Sequence, residues 1–306
     1  MRILVTGAGG LLGLNLAFEA LEMGHAVSGV DRFELSRAPF KLLKADLLEA
    51  DAVKMVLDAS RPEWLIHCAA LADLEACEAD PVLARRLNAD LAALLATACR
   101  QRSVRMLHIS TDSVFDGTGT GYYTESDLPN PLGVYAGTKL QGEQAVLEAD
   151  PDAVVVRVNF YGFSLSGRRS LAEFFLTNLL ARNHVNGFTD VAFCPTFVGD
   201  LAGVLFKMLE KGMHGLYHAV GAECMSKYDF GVALARRFNL DEHLISPCSV
   251  ESSGLTARRA HNLRLSIQKL TTHLGESIPS FSTGLDQFYT QYQQGYPQKI
   301  RSYQQG

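Results

Sequence analysis

The chain has 306 residues, enough to bury a full core as one large domain or two modest ones. Its formal net charge is −5, and no Lys/Arg run offsets it, which argues against a nucleic-acid-binding face. No apolar run nears the roughly 18 residues that would cross a bilayer, and Met1 to Gly7 is followed by no cleavage pattern. A cytoplasmic protein with no membrane partner is expected. The six cysteines (68, 77, 99, 194, 224 and 248) are scattered without a CxxC pair and read as reduced thiols, not a disulfide frame. His214 and His218 are four apart, but in His-Gly-Leu-Tyr-His they enter a strand from a turn, so no metal site is expected.

Arg2 to Thr6 is a short β-branched and apolar run, consistent with a buried parallel strand. Gly7-x-x-Gly10-x-x-Gly13 follows, and Leu14 to Met23 reads as a helix ending at Gly24. Strand, glycine turn and helix start form the setting in which a backbone approaches a pyrophosphate and a helix N-terminus holds its charge. His25 to Val30 makes a second strand ending at Asp31, about 20 residues beyond the glycines, where a carboxylate accepts hydrogen bonds from ribose hydroxyls. A carboxylate there repels the extra phosphate of NADP, while Arg32 could attract it, so NAD(H) is favoured and NADP(H) stays open. Asp51 to Ser60 reads as a helix, Trp64 to Ala70 as a buried strand, and Pro81 to Arg100 as one long amphipathic helix with Leu83, Leu87, Leu91 and Leu94/Leu95 on its apolar stripe. Arg105 to Ser110 is a strand that delivers Ser110 and Thr111 at its carboxyl end. The alternation implies a parallel sheet with right-handed crossovers.

Gly117 to Gly133 is rich in Gly, Pro and polar residues and reads as a surface loop over the site. Val134 to Ala149 is a helix carrying Tyr135 and Lys139, four apart and therefore on one face. An ammonium beside a phenol favours the phenolate, so Lys139 is expected to lower the Tyr135 pKa and make that phenol a general acid or base. With Thr111, the pair falls at the carboxyl edge of the sheet, where open α/β sheets bind ligands. After Phe160 the alternation loosens: helices are expected at 170–181, 201–211 and 228–238, and a strand at 215–220. The fold class is thus α/β, a Rossmann-type doubly wound parallel sheet over residues 1–160. A smaller substrate-binding subdomain is expected over 161–306, with segments interleaved.

With Thr6-Gly7-Ala8-Gly9-Gly10-Leu11-Leu12-Gly13, Ser110-Thr111-Asp112-Ser113-Val114-Phe115-Asp116-Gly117 and Asn130-Pro131-Leu132-Gly133-Val134-Tyr135 running on to Lys139, the chain resembles the extended short-chain dehydrogenase/reductases. Within them it is similar to the dTDP-4-dehydrorhamnose reductase-like group. The resemblance implies an NAD(P)H-dependent reductase of a nucleotide-linked 4-keto-6-deoxy sugar. Tyr135 would protonate the carbonyl oxygen as hydride arrives, Lys139 would hold the nicotinamide ribose, and Thr111 would orient the carbonyl. Gly7, Gly10, Leu11, Leu12, Gly13, Asp31, Arg32, Asp46, Leu47, Ala69, Ala70 and Ser110 would surround the cofactor, with Tyr135 and Lys139. Asp112, Ser113, Asn159 and Arg168 would face the substrate, Arg168 reaching for its diphosphate. The family's usual tyrosine after Thr-Asp is Ser113 here, and Asp190 lacks the glutamine that often follows it. The resemblance leaves two alternatives, an epimerase or dehydratase that retains its NAD and a regulatory subunit that binds cofactor and a partner protein. A homodimer is common in the superfamily.

Overall fold

The computed structural model describes residues 1–254 and 257–304. In chain order its first part comprises β1 (Arg2–Thr6), α1 (Leu11–Glu22), β2 (Ala26–Asp31), β3 (Lys41–Lys44), α2 (Ala52–Ser60), β4 (Trp64–His67) and α3 (Leu74–Ala79). Then come α4 (Pro81–Arg85), α5 (Leu91–Gln101), β5 (Arg105–Thr111), α6 (Val134–Ala149) and β6 (Val154–Val158). These strands form a seven-stranded sheet whose seventh member is Gly215–Ala219, in the order Gly215–Ala219, β6, β5, β4, β1, β2, β3. Every pairing in it is parallel. The edge strand beside β6 therefore comes from the second half of the chain.

Alternation along each strand divides the core between the two faces of the sheet. Ile3, Val5, Ile66, Leu107, Ile109, Val154 and Val156 join one buried cluster with α1 and α8 (Val198–Glu210). Leu4, Leu65, Met106 and Val155 join the other, under α2, α5 and α6. The first cluster continues without a break into the second half. Tyr161, Phe163, Phe175, Phe230 and Phe288 pack edge-to-face and stacked there, between α7 (Leu171–Leu180), α9 (Lys227–Arg237) and the helix Phe281–Gln293. Ser170 and Glu173 form a reciprocal capping box at the start of α7.

Three expectations need correction. The run 81–100 is not one regular helix: Arg86–Asp90 winds as a π-helix between α4 and α5, and Leu94 is 52% exposed. The extra residue per turn rotates the stripe, so that Leu91 and Leu95 are buried while Leu94 faces solvent. A short helix, α3, precedes it where none was expected, capped by the Asp73 carboxylate accepting from the Ala76 N–H. The third concerns the thiols. Cys194 and Cys224 are disulfide-bonded, with Cα atoms 4.0 Å apart. Cys194 directly follows Ala192–Phe193, which pairs antiparallel with Met225–Ser226, and that register sets Cys194 opposite Cys224. A separation of 30 residues leaves no local trace of the pairing. Cys68, Cys77, Cys99 and Cys248 are free. Among the described residues, no helix is long and apolar enough to cross a membrane.

Candidate active site

The glycine turn is shaped by backbone contacts. Gly7 has φ +65°, a left-handed conformation that favours glycine, and a Cβ on it would sit 2.9 Å from the Ala69 backbone. A Cβ on Gly13 would meet the Gly7 carbonyl oxygen. The turn therefore lies flat on α1 and against the end of β4. No side chain caps α1, and its first turn holds no acid, so the Leu11–Gly13 end offers backbone N–H groups and a positive dipole to an anion. A pyrophosphate fits this cradle. Asp31 stands beside it, where its carboxylate accepts from the N–H groups of Gly9 at 2.9 Å and Arg32 at 2.7 Å. Arg32 is exposed. Ala45 N–H donates to the Asp31 carbonyl, which brings Asp46 and Leu47 alongside; Leu47 is buried and Asp46 accepts from Leu48 N–H. Ala69 N–H donates to the Thr6 hydroxyl at 3.2 Å, and Ala70 is exposed at the same strand end.

β5 and α6 deliver the three proposed catalytic side chains to one place. Thr111 ends β5, and its side chain acts on the Tyr135 phenol, holding the phenol pKa down against burial. The expected Lys139–Tyr135 coupling is not how the lysine is held. Its ammonium donates to the Ile109 carbonyl at 2.6 Å and lies 3.4 Å from His108 Nε2. The Tyr135 pKa is accordingly not lowered: burial pushes it up to about 12, only partly opposed by the Thr111 side chain. Lys139 is itself brought down to about 8 by burial, against the pull of Glu143 and Cys68. Ser110 turns away from the cofactor cradle. Its hydroxyl donates to Glu143 at 2.5 Å, and Glu143 is in turn ion-paired to Arg157 at 2.8 Å with both side chains buried.

On the other side of Tyr135 lies a cavity of about 280 Å³, lined by Ser113 and Asn159 and by the cations Lys227, Arg258 and Arg259. Leu74, Leu132, Phe115, Val191, Phe193 and Leu263 give it apolar walls. Asp112 is buried behind it, accepting from Asn159 Nδ2 at 2.6 Å and from the hydroxyls of Thr111 and Ser113. Burial raises its pKa; those three hydrogen bonds and the charge of Lys227 oppose the rise. Arg259 bridges to Glu75 of α3 at 3.5 Å, docking the segment around 257–260 over the cavity. Arg168 is exposed beside Gly167, which abuts the Arg301 guanidinium, and it does not line the cavity. Among the described residues no cluster of His, Cys, Asp and Glu is arranged to hold a metal ion.

The family model for the RmlD substrate binding domain matches residues 1–294. The chain belongs to that family. It is 32% identical over 288 residues to the probable low-salt glycan biosynthesis reductase Agl14 of Haloferax volcanii, covering 93% of this chain and 96% of that one. It is also 33% identical over 292 residues to methionine adenosyltransferase 2 subunit beta of Mus musculus, covering 93% and 86%. The structure of dTDP-4-dehydrorhamnose reductase from Bacillus anthracis in complex with NADP superposes with a TM-score of 0.86 at 27% identity, covering 95% of this chain and 99% of that one. The parallel sheet and flanking helices are those of the short-chain dehydrogenase/reductase type.

Several residues of this RmlD-family site carried no signal of their own in the sequence. Asn88, buried in the π-helical turn, accepts from Leu71 N–H and donates to the Leu71 carbonyl and the Thr138 hydroxyl, tying that turn to α6. Glu78 of α3 accepts from the Val134 N–H at 2.8 Å and so caps the helix that carries Tyr135. Lys227, Arg258 and Arg259 lie far along the chain from Tyr135, and only the docking of the second half brings them to the cavity. The motif Ser226-Lys227-Tyr228-Asp229-Phe230 was a usable pointer to the first of them.

Proposed function

We propose that this protein is an NAD(P)H-dependent reductase of a nucleotide-linked sugar, with a 4-keto-6-deoxy sugar as the substrate class. The observation that carries the reading is the Tyr135 phenol, with Thr111 acting on it, at the wall of a cavity lined by Lys227, Arg258 and Arg259 together with Glu78, Ser113, Asn159 and apolar side chains. A nicotinamide cofactor supplies the hydride when bound. The Gly7–Gly13 turn and the N-terminus of α1 would hold its pyrophosphate and Asp31 its adenosine ribose, which favours NAD(H), while the exposed Arg32 leaves NADP(H) open. Tyr135, with its pKa near 12, stays protonated at neutral pH and has a proton to give to the carbonyl oxygen. The Thr111 hydroxyl would direct that oxygen towards the phenol. Lys227, Arg258 and Arg259 suit the diphosphate of the substrate, a role that the exposed Arg168 does not fill.

The kinship with methionine adenosyltransferase 2 subunit beta favours a second reading, a cofactor-binding subunit that acts through a partner protein. Oxidation of NADH and NADPH, followed against a panel of nucleotide-linked 4-keto sugars, separates the two. Turnover with one member is expected. Tight cofactor binding with no oxidation across the panel would overturn the reductase reading in favour of the second.

A further inference from the structure

Beneath Lys139 lies a pair of buried imidazoles that the proposed reduction does not use. His67 ends β4 and His108 faces it in register from β5, with ring centres 5.2 Å apart and both side chains buried. His67 Nδ1 is 2.7 Å from the Thr6 hydroxyl, which also accepts from Ala69 N–H. His108 Nε2 lies 3.4 Å from Lys139 Nζ. An ammonium offers only donors, so Nε2 is the acceptor and the proton of the neutral ring sits on Nδ1. That Nδ1 and His67 Nε2 have no hydrogen-bond partner among the described residues. Leaving buried polar atoms without partners costs stability that an apolar pair in the same strands would not cost. α6 is also pressed close here: a Cβ on Gly142 would stand 3.5 Å from His108 Nε2 and would overlap the Asn88 carbonyl.

We propose that His108 is a positioning residue, whose Nε2 acts with the Ile109 carbonyl to hold the Lys139 ammonium on the floor of the site, with His67 fixing the ring from behind. The role of Lys139 in turnover rests on the reductase reading; the way its ammonium is held does not. The groups facing Lys139 are His108 from β5, His67 and Cys68 from the end of β4, and Glu143 from its own helix, which also carries Tyr135 four residues earlier. Both imidazoles stay neutral across the working range, because burial, reinforced by the Lys139 charge, depresses their pKa values: to about 3 for His67 and well below the ordinary value for His108. A neutral acceptor stabilises the charged form of the lysine. Removing it therefore moves the Lys139 titration down from about 8.

The test compares His108→Phe, which keeps a planar ring without an acceptor, with His108→Gln, whose amide oxygen can replace Nε2. The Lys139 side-chain titration is followed by NMR in the protein without substrate, the resonance being assigned with Lys139→Met. The phenylalanine variant is expected to lower the midpoint by about one pH unit, and the glutamine variant to restore most of that shift. The alkaline limb of kcat should move by the same amount. A midpoint unchanged or raised in a folded His108→Phe protein overturns the proposal. If the phenyl ring prevents folding, His108→Met carries the same expectation. Absence of turnover would count against the reductase reading alone, since the titration is read without substrate.

Discussion

Replacing Gly13 by alanine tests the cofactor cradle most sharply. The added methyl carbon would overlap the Gly7 carbonyl oxygen, and it would stand 2.9 Å from the Gly7 carbonyl carbon and 3.2 Å from the Ala8 Cα. All three neighbours are backbone, so the turn must move, by about 1 Å to reach an ordinary carbon–oxygen contact. Overpacking of this kind costs about 1–3 kcal/mol, against a gain of up to about 1 kcal/mol from the better helix propensity of alanine. A net loss of roughly 1–2 kcal/mol is expected in urea unfolding. Gly10→Ala is the control. Its Cβ would lie 3.1 Å from the same oxygen with φ at −74°, so the neighbour need give only a few tenths of an ångström. That variant is expected to stay within about 0.5 kcal/mol of the parent, the weaker N-cap being offset by a stiffer unfolded chain. Because the Gly7 backbone would form the cradle in the proposed reading, Gly13→Ala should also weaken NADH binding at least about tenfold, equivalent to about 1.4 kcal/mol. Equal stability and equal NADH affinity in the two variants would refute the argument.

The other expectations concern the phenol, the buried ion pair and the cysteines. Tyr135→Phe should lower kcat by about 100-fold or more while NADH binding stays within about twofold; turnover at the parent rate would remove Tyr135 from the chemistry. Arg157→Leu strands the Glu143 carboxylate in the interior and should cost about 3–5 kcal/mol in chemical denaturation, much of it recovered when Glu143→Met is added. A single variant as stable as the parent would show that the pair is not coupled. Titration of thiols in denaturant without reductant should find four, matching the free cysteines, and six after reduction; six at the outset would refute the Cys194–Cys224 pairing.

The sequence alone determined what neighbours along the chain can encode. The run from β1 through the Gly7–Gly13 turn into α1 was legible because apolar period, glycine spacing and helix start are all local. The same holds for Thr111 at the end of β5 and for α6, whose bounds Val134–Ala149 follow from its own pattern. Helical spacing also placed Tyr135 and Lys139 on one face. It could not say which groups that face would meet, and the lysine is held by Ile109 and His108, brought beneath it by the packing of α6 on β5. Tertiary structure alone decided three further features. Gly215–Ala219 became the strand beside β6, Lys227, Arg258 and Arg259 came to the cavity, and antiparallel register set Cys194 against Cys224. Each joins segments far apart in sequence, where the decisive energy is burial and register against a distant partner, and residue type and local spacing carry no record of either.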